Sequence, residues 1–453
     1  MKLDPRREQL LKRTFLDYQQ TAEFLRRPLI LERAEGLYYW DTEGKRYFDA
    51  IGGIFVATLG HRHPRLLAAL ERQMAKMTFA PPLHGIADVT LDFVEKMGTV
   101  TPGNLKYVKP FSGGSEAVES AIKFVRQYFK QTGHPGKYKF ISRYFGFHGG
   151  TAGAMAASGT GSRKSKFEPQ MPGFLKVFPP NYYRDRFDSW PECNRFCARM
   201  VEDVIVNEDP ETVAGVIVEP IGNTGGIITP TDEYFQILRE ICTRYNVMLI
   251  YDEIITGIGK TGSMFAAQTF GVTPDLICCG KGLSSGMVPI GAMIAREDMA
   301  EAFWGNAEDD VHFAHGHTFA GNPMACAVGI AVVEEIVEKR LDHQAREMGE
   351  YLAGKLEELK KYGVVREVRG KGILRGVELV KNTQTMDPHP ELGKALKRTA
   401  IDNGLIMRID PSWFAVAPAL IARQPEIDEM CSLIERSLVQ ALEGARSRHG
   451  TAA

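Results

Sequence analysis

Between about residues 105 and 295 the chain repeats one pattern, a short apolar run followed by a stretch with helical spacing. The runs are Tyr138 to Ile141, Val213 to Val218, Val247 to Tyr251, Leu276 to Cys279 and Ile290 to Ile294. Lys139 interrupts the first, while the others are uncharged along their length and do not alternate. A strand with one wet face alternates, whereas a strand covered on both faces reads as a continuous apolar run. Helical stretches between such strands imply parallel crossovers, so the pattern predicts an α/β fold with a mostly parallel central sheet. One helix is well marked. In "PFSGGSEAVESAIKFVRQYFKQTG", Ala117, Ala121 and Val125, with Val118, Ile122 and Phe129, share a helical face from about Ser115 to Lys130, and Gly133 stops it.

The flanks read differently. The first 30 residues predict a charged amphipathic helix. "GLYYWDTEGKRYFDAIGG" predicts a hairpin, since Asp41 to Gly44 is turn chemistry between aromatic residues. Helical periodicity returns from Met324 to Leu359. The tail repeats a smaller αβ pattern: "VVREVRGKGILRGVELV", a helix near Leu392 to Asn403, "GLIMRID", "WFAVAPAL" and a last helix near Ile427 to Leu442. The expected layout is a large central domain over 66–335, with a smaller α+β domain built from 1–65 and 336–453.

Composition narrows the class without naming a function. Hydrophobic residues make up 44% and charged residues 25%, as in ordinary globular proteins. A formal net charge of -1 gives no electrostatic case for nucleic acid or an anionic membrane. No apolar run approaches the roughly 20 residues that span a bilayer, and "MKLDPRREQLLKR" lacks the apolar core of a signal peptide, so a cytoplasmic location is expected. Seven irregularly spaced cysteines suit neither a disulfide framework nor a metal site.

Ligands of open parallel sheets bind outside the carboxyl ends of the strands. Glu219 follows Val218, Asp252 and Glu253 follow Tyr251, and Gly280-Lys281-Gly282 follows Cys279. Two or three carboxylates and one lysine are therefore expected at one edge. Most lysines are solvated surface, but no other charge occurs from Leu276 to Ile294, and an amine in apolar surroundings becomes nucleophilic toward carbonyls. Asp252 suits either a turn or the task of ion-pairing with a protonated pyridine nitrogen. Gly113, Gly114 and Ser115 open the marked helix, where free N–H groups bind phosphate or Ser115 simply caps the helix. "GIGKTG", Gly257 to Gly262, fits GxGxxG, but the five residues of "DEIIT" separate it from its strand, and Ile254 stands where a phosphate loop needs glycine. The loop is expected to lie beyond the site.

"GGSEA", "YFGFHGGT", "VEPIGNTGG", "YDEIITGIGKTG", "CGKGLSSGMVPIGA" and "HGHTFAGNPMACA", in this order, resemble the class III, or omega, aminotransferases, fold-type I enzymes that use pyridoxal 5'-phosphate. The likeness runs from "GLYYWDTEGKRYFDAIGG" and "GHRHP" to "VRGKGILRGVEL" and "APALIARQPEIDEM", nearly the whole chain. It implies that Lys281 forms the Schiff base with the cofactor and that Asp252 pairs with its ring nitrogen. Gly114 and Ser115 match the phosphate cup. Phe147, just before His148, matches the aromatic stacked on the ring, and Ile254 the aliphatic residue on the opposite face. Glu219 matches an acid near the cofactor that in some members pairs with an arginine. Thr318 matches a threonine reaching the phosphate of the neighbouring subunit, which implies a homodimer with shared sites.

The resemblance is closest to amine:pyruvate enzymes. Arg408 matches the arginine that swings in to grip the carboxylate of pyruvate, and Phe55 and Tyr144 match the aromatic pocket walls. Gly113 stands where Ser is commoner, and Lys260 where Arg is. Ile255 stands where ornithine- and aminobutyrate-type members carry Gln, which puts those types in doubt. The implied partners are a small primary amine and a keto acid. Aminomutases, racemases and lyases share the scaffold, so the reaction has to be argued from the site.

Overall fold

The computed structural model describes residues 4–181 and 184–449. Its centre is a seven-stranded sheet: β1 (Leu105–Phe111), β2 (Lys139–Arg143), β3 (Phe174–Val177), β4 (Val213–Val218), β5 (Met248–Asp252), β6 (Leu276–Gly280) and β7 (Gly291–Arg296), in the order β1-β7-β6-β5-β4-β2-β3. The β3, β2, β4, β5 and β6 strands pair in parallel, while β7 runs antiparallel to both β6 and β1. The expected α/β fold with a mostly parallel sheet is present, with one strand reversed.

The uncharged runs are buried on both faces, as their pattern requires. Leu249 and Tyr251 of β5 join one core, with Val216 and Val218 of β4 and Ile277 and Cys279 of β6. Met248 and Ile250 join a second core, with Ala214, Ile217 and Cys278. Helix α1 (Gly114–Gln131) covers this second face with Ala117, Val118, Ala121, Ile122 and Val125. Helix α2 (Asp232–Arg244) covers the first face with Tyr234, Phe235, Leu238 and Ile241. Each such aliphatic or aromatic side chain contributes about 1.5–3 kcal/mol on full burial, so the middle of the sheet is the rigid part of the molecule.

Two smaller sheets flank it. The predicted hairpin forms between Tyr38–Asp41 and Arg46–Asp49, with Asp41 Oδ1 accepting from the N–H groups of Glu43 and Lys45 across the turn. Leu405–Ile406 pairs in parallel with Arg46–Asp49, so the first and last parts of the chain share a sheet. Val365–Lys371, Leu374–Leu379, Trp413–Val416 and Arg408–Asp410 form an antiparallel sheet in that order.

One expectation needs correction and another gains detail. The N-terminal segment is not one amphipathic helix but two short ones, Pro5–Leu11 and Thr21–Arg26, and neither buries a residue. The periodicity from Met324 to Leu359 is two helices, α3 (Pro323–Lys339) and α4 (Leu341–Glu357), because Arg340 takes the left-handed conformation, φ 51°, and turns the chain. No helix among the described residues is long and apolar enough to cross a membrane.

Candidate active site

The carboxyl ends of β4, β5 and β6 lie side by side, with Asp252 opposite Cys278 in register. Asp252 closes β5, and Lys281 opens a single 3-10 turn after β6. Lys281 has φ 44°, a left-handed conformation costly for a non-glycine residue and kept where the surroundings dictate it. Burial pushes its amine down to about 8. The charges of Asp252 and Glu219 act on it upward and that of Arg408 downward, so all four groups share one electrostatic neighbourhood. An amine with that value is neutral and nucleophilic in roughly a tenth of molecules at pH 7, several hundredfold more often than an ordinary lysine.

Asp252 is buried and held from two directions. Its Oδ2 lies 2.7 Å from His148 Nδ1, and its Oδ1 accepts from the Ile254 N–H at 3.1 Å. An ionised carboxylate can only accept, so Nδ1 carries the proton of this pair. The His148 N–H donates in turn to Ser158 Oγ at 2.8 Å. Each carboxylate oxygen keeps a lone pair for a further N–H donor. Glu219 is buried too, and burial raises its carboxyl above the usual range. It accepts from the N–H groups of Phe147 and Asn223, both at 3.0 Å, which ties the loop before His148 to the loop after β4. Arg143, also buried, donates to the Glu219 backbone carbonyl.

Glu253 does not join this group. Its carboxylate accepts from Ala266 N–H (2.6 Å), Ala267 N–H (2.8 Å) and Thr256 Oγ1 (3.0 Å), entirely inside the protein. Successive residues of a strand face opposite ways. Asp252 continues the face of Met248 and Ile250, toward α1, so Glu253 turns to the other face. The expectation of two or three converging carboxylates therefore resolves to two, Glu219 and Asp252.

The amino end of α1 is open. Gly113 is its cap residue and no side chain caps it. Ser115 does not cap the helix: its Oγ accepts from the Gly150 N–H at 3.0 Å. A Cβ added to Gly113 would meet nothing within 4 Å, so open space adjoins the start of the helix. At Gly149, φ 146°, a Cβ would fall 2.6 Å from Ser115 Oγ, so only glycine lets this loop close on the helix. Ile254 lies between α1 and β6: a Cβ would approach its Cδ1 to 2.8 Å from Gly114 and to 3.3 Å from Gly280. Phe147 is half-buried, with the Arg163 guanidinium 5.3 Å from its ring centroid. An uncapped helix start, a fixed carboxylate and a depressed lysine fit, in turn, the phosphate, the pyridine nitrogen and the aldehyde of pyridoxal 5'-phosphate.

The remaining predicted residues are less uniform. Arg408 is half-buried; its Nε donates to Asp410 Oδ2 at 3.0 Å and its guanidinium carbon lies 4.9 Å from the Trp413 ring centroid. Tyr144 is exposed at its edge, 4.9 Å centroid to centroid from Phe178. Phe55 is buried in the hydrophobic core with φ 67°, while Ile54 beside it is exposed. Thr318 is exposed, next to Phe319, whose ring packs edge-on against Phe79.

One residue of the site was not anticipated. Lys260 does not lie beyond the site: it is buried, and its Nζ donates to Thr58 Oγ1 at 3.2 Å. Burial, and then the charge of Lys281, lower its amine to about 7. A Cβ on Gly282 would fall 2.4 Å from Thr58 Oγ1 and 3.5 Å from Lys260 Nζ, so this pair sits directly against the Lys281 turn. The only trace in the sequence is a lone lysine in a glycine-rich loop after a buried strand.

A family model for Aminotransferase class-III matches residues 20–438. The chain belongs to that family: it is a class III aminotransferase of fold type I, and its cofactor is pyridoxal 5'-phosphate. It is similar to a putrescine–pyruvate aminotransferase of Pseudomonas aeruginosa, 32% identical over 94% of this chain and 93% of that one. Its fold matches a thermostable (S)-enantioselective omega-transaminase from Thermomicrobium roseum, with TM-score 0.92 and 33% identity over 96% of this chain and 98% of that one. The omega-transaminase of Pseudomonas jessenii in complex with PMP matches with TM-score 0.92 and 32% identity, over 96% and 98%.

Proposed function

We propose that this aminotransferase moves the amino group of a primary amine, whether an arylalkyl or alkyl amine, a diamine or an omega-amino acid, to a keto acid, pyruvate foremost. The products are a ketone or aldehyde and L-alanine. The observation that carries this reading is Arg408: a half-buried guanidinium whose charge reaches Lys281, with no bond from either terminal nitrogen to a described residue. A guanidinium fork of that kind takes a carboxylate bidentately. The likeness to a putrescine–pyruvate aminotransferase supports the same acceptor.

Bound in this site, the cofactor supplies an aldehyde carbon for the donor nitrogen and a ring that draws electrons from the reacting carbon. Lys281 would hold the aldehyde carbon in the resting enzyme and, once released by the donor, would be the base that carries the proton of the donor carbon. Asp252, held by His148, keeps a proton on the ring nitrogen. The N–H groups of Gly114 and Ser115 would hold the phosphate, and Phe147 and Ile254 would pack against the ring. Glu219 fixes the loop that carries Phe147. Phe55 and Tyr144 bound the donor pocket. Arg408 orients the keto acid so that Lys281 works in reverse.

The same reading makes the protein a cytoplasmic homodimer, with Thr318 reaching the partner's phosphate. Phe15, Ile54, Leu83, Ile86 and Phe319 are large apolar residues left exposed on the single chain, and the dimer reading expects a second subunit to cover part of them. The test is a panel of amine donors against pyruvate, read as alanine formed. Stoichiometric alanine and ketone support the proposal. Product isomeric with the donor and no alanine would overturn it in favour of a mutase, racemase or lyase.

A further inference from the structure

Arg408 and Asp410 belong to one short strand and, two residues apart, face the same side of it. Asp410 takes only the inner nitrogen, Nε, of the guanidinium, at 3.0 Å. Trp413, opposite Asp410 on the next strand, backs the group with its ring. The edge of the guanidinium that carries Nε is thus occupied, and the end-on fork of two terminal nitrogens is left for a ligand. Asp410 itself is half exposed, so its carboxylate remains hydrated and its pull on Arg408 is moderate.

One pocket that accepts both an apolar amine and an anionic keto acid faces an electrostatic conflict. A cation that suits the acid is uncompensated when the amine's apolar body displaces water from it. We propose that Asp410 eases the conflict as a specificity-determining residue: it offsets part of the Arg408 charge while the amine donor is bound and leaves the terminal fork open for the keto acid. This inference rests on the reading of Arg408 as the carboxylate site.

The experiment is steady-state kinetics of the cofactor-loaded enzyme with an arylalkyl amine and pyruvate, for D410N, R408A and the double variant. Asn keeps an oxygen acceptor for Nε and removes the charge. D410N is expected to lower the KM for pyruvate about threefold and raise the KM for the neutral amine about threefold, the scale of a partly exposed ion pair. In the R408A background D410N should change neither. A purely structural role for Asp410 would move both constants the same way. That result, no change in D410N, or an equal effect in the R408A background, would each overturn the inference while leaving the Arg408 reading intact. Should R408A itself leave the pyruvate KM unchanged, the carboxylate site fails, and the role of Asp410 fails with it.

Discussion

The two sides of the site are built in different ways. The floor rises from the ends of β4, β5 and β6, strands buried along their whole length, and Asp252 there is held by a histidine and a backbone N–H. The proposed substrate side is gathered from residues far apart in the chain, Phe55, Tyr144 and Arg408, on an irregular helical turn, a turn and a three-residue strand, and among the described residues Arg408 is held by one hydrogen bond. Groups that must keep their geometry through every turnover sit on the packed sheet. Of the groups proposed to meet two unlike substrates, Tyr144 and Arg408 sit on elements with fewer restraints, while Phe55 is packed in the core. Rigid placement of the reacting groups and looser placement of the selecting groups is what a two-substrate, one-pocket enzyme needs.

If that division holds, substitutions on the floor should depress kcat for every substrate, and those on the substrate side should split KM by substrate. The largest effect is expected for Lys281→Ala. Turnover should fall by about a thousandfold or more for all donors, since both proton transfer and covalent attachment are lost, and the cofactor's visible absorbance should change as well. A variant that still transaminates at the original rate would remove Lys281 from its role. Asp252→Asn preserves shape and hydrogen bonding but not charge. It should lower kcat by about a hundredfold, the scale seen when a fixed electrostatic partner of the reacting system is lost, with little change in either KM. A donor-dependent loss would move Asp252 to the selecting side.

Arg408→Ala should be smaller and one-sided. A charge-assisted hydrogen bond is worth about 1.5–3 kcal/mol, so the KM for pyruvate should rise roughly 10- to 100-fold, while that for a simple arylalkyl amine stays within about threefold. Equal losses for both substrates would erase the distinction between the two sides.

The same division governs what could be read from the sequence. The floor was legible because burial on both faces writes a continuous apolar run, and the residue after the run is then fixed in place. The β1 and β3 strands did not stand out, because Lys106, Lys109 and Lys176 break the apolar pattern of these edge strands. The reversal of β7 has a cause that hydrophobicity does not record. Residues 281–290 are the whole connection from β6, shorter than the dozen or so residues of a parallel crossover. Arg408 was legible through family likeness, not through any local pattern. The contact of Thr58 with Lys260 depends on how separate segments meet, and no periodicity carries that.

Asp252 and Glu253 bring the comparison down to adjacent residues. Both are buried carboxylates at the end of β5, yet one faces the ligand edge and the other anchors the turn at Ala266. Glu253→Gln should therefore leave kcat and both KM values within about twofold and act on stability alone. Gln can offer one oxygen to the three donors around Glu253, so at least one buried donor loses its partner, at about 1–3 kcal/mol. The thermal midpoint should fall accordingly. The pH dependence supplies a second reading. Burial raises the Glu253 carboxyl from its usual 4.5 to about 7. The folded state then binds more protons than the unfolded state between those values, so this group's stabilising contribution is complete below 4.5 and is lost as pH rises through 7. Glu253→Gln, with nothing to titrate, should flatten the decline of the thermal midpoint across that window. A variant that keeps the wild-type slope but loses turnover would place Glu253 in the chemistry beside Asp252, and the strand would then present two acids to the site instead of one.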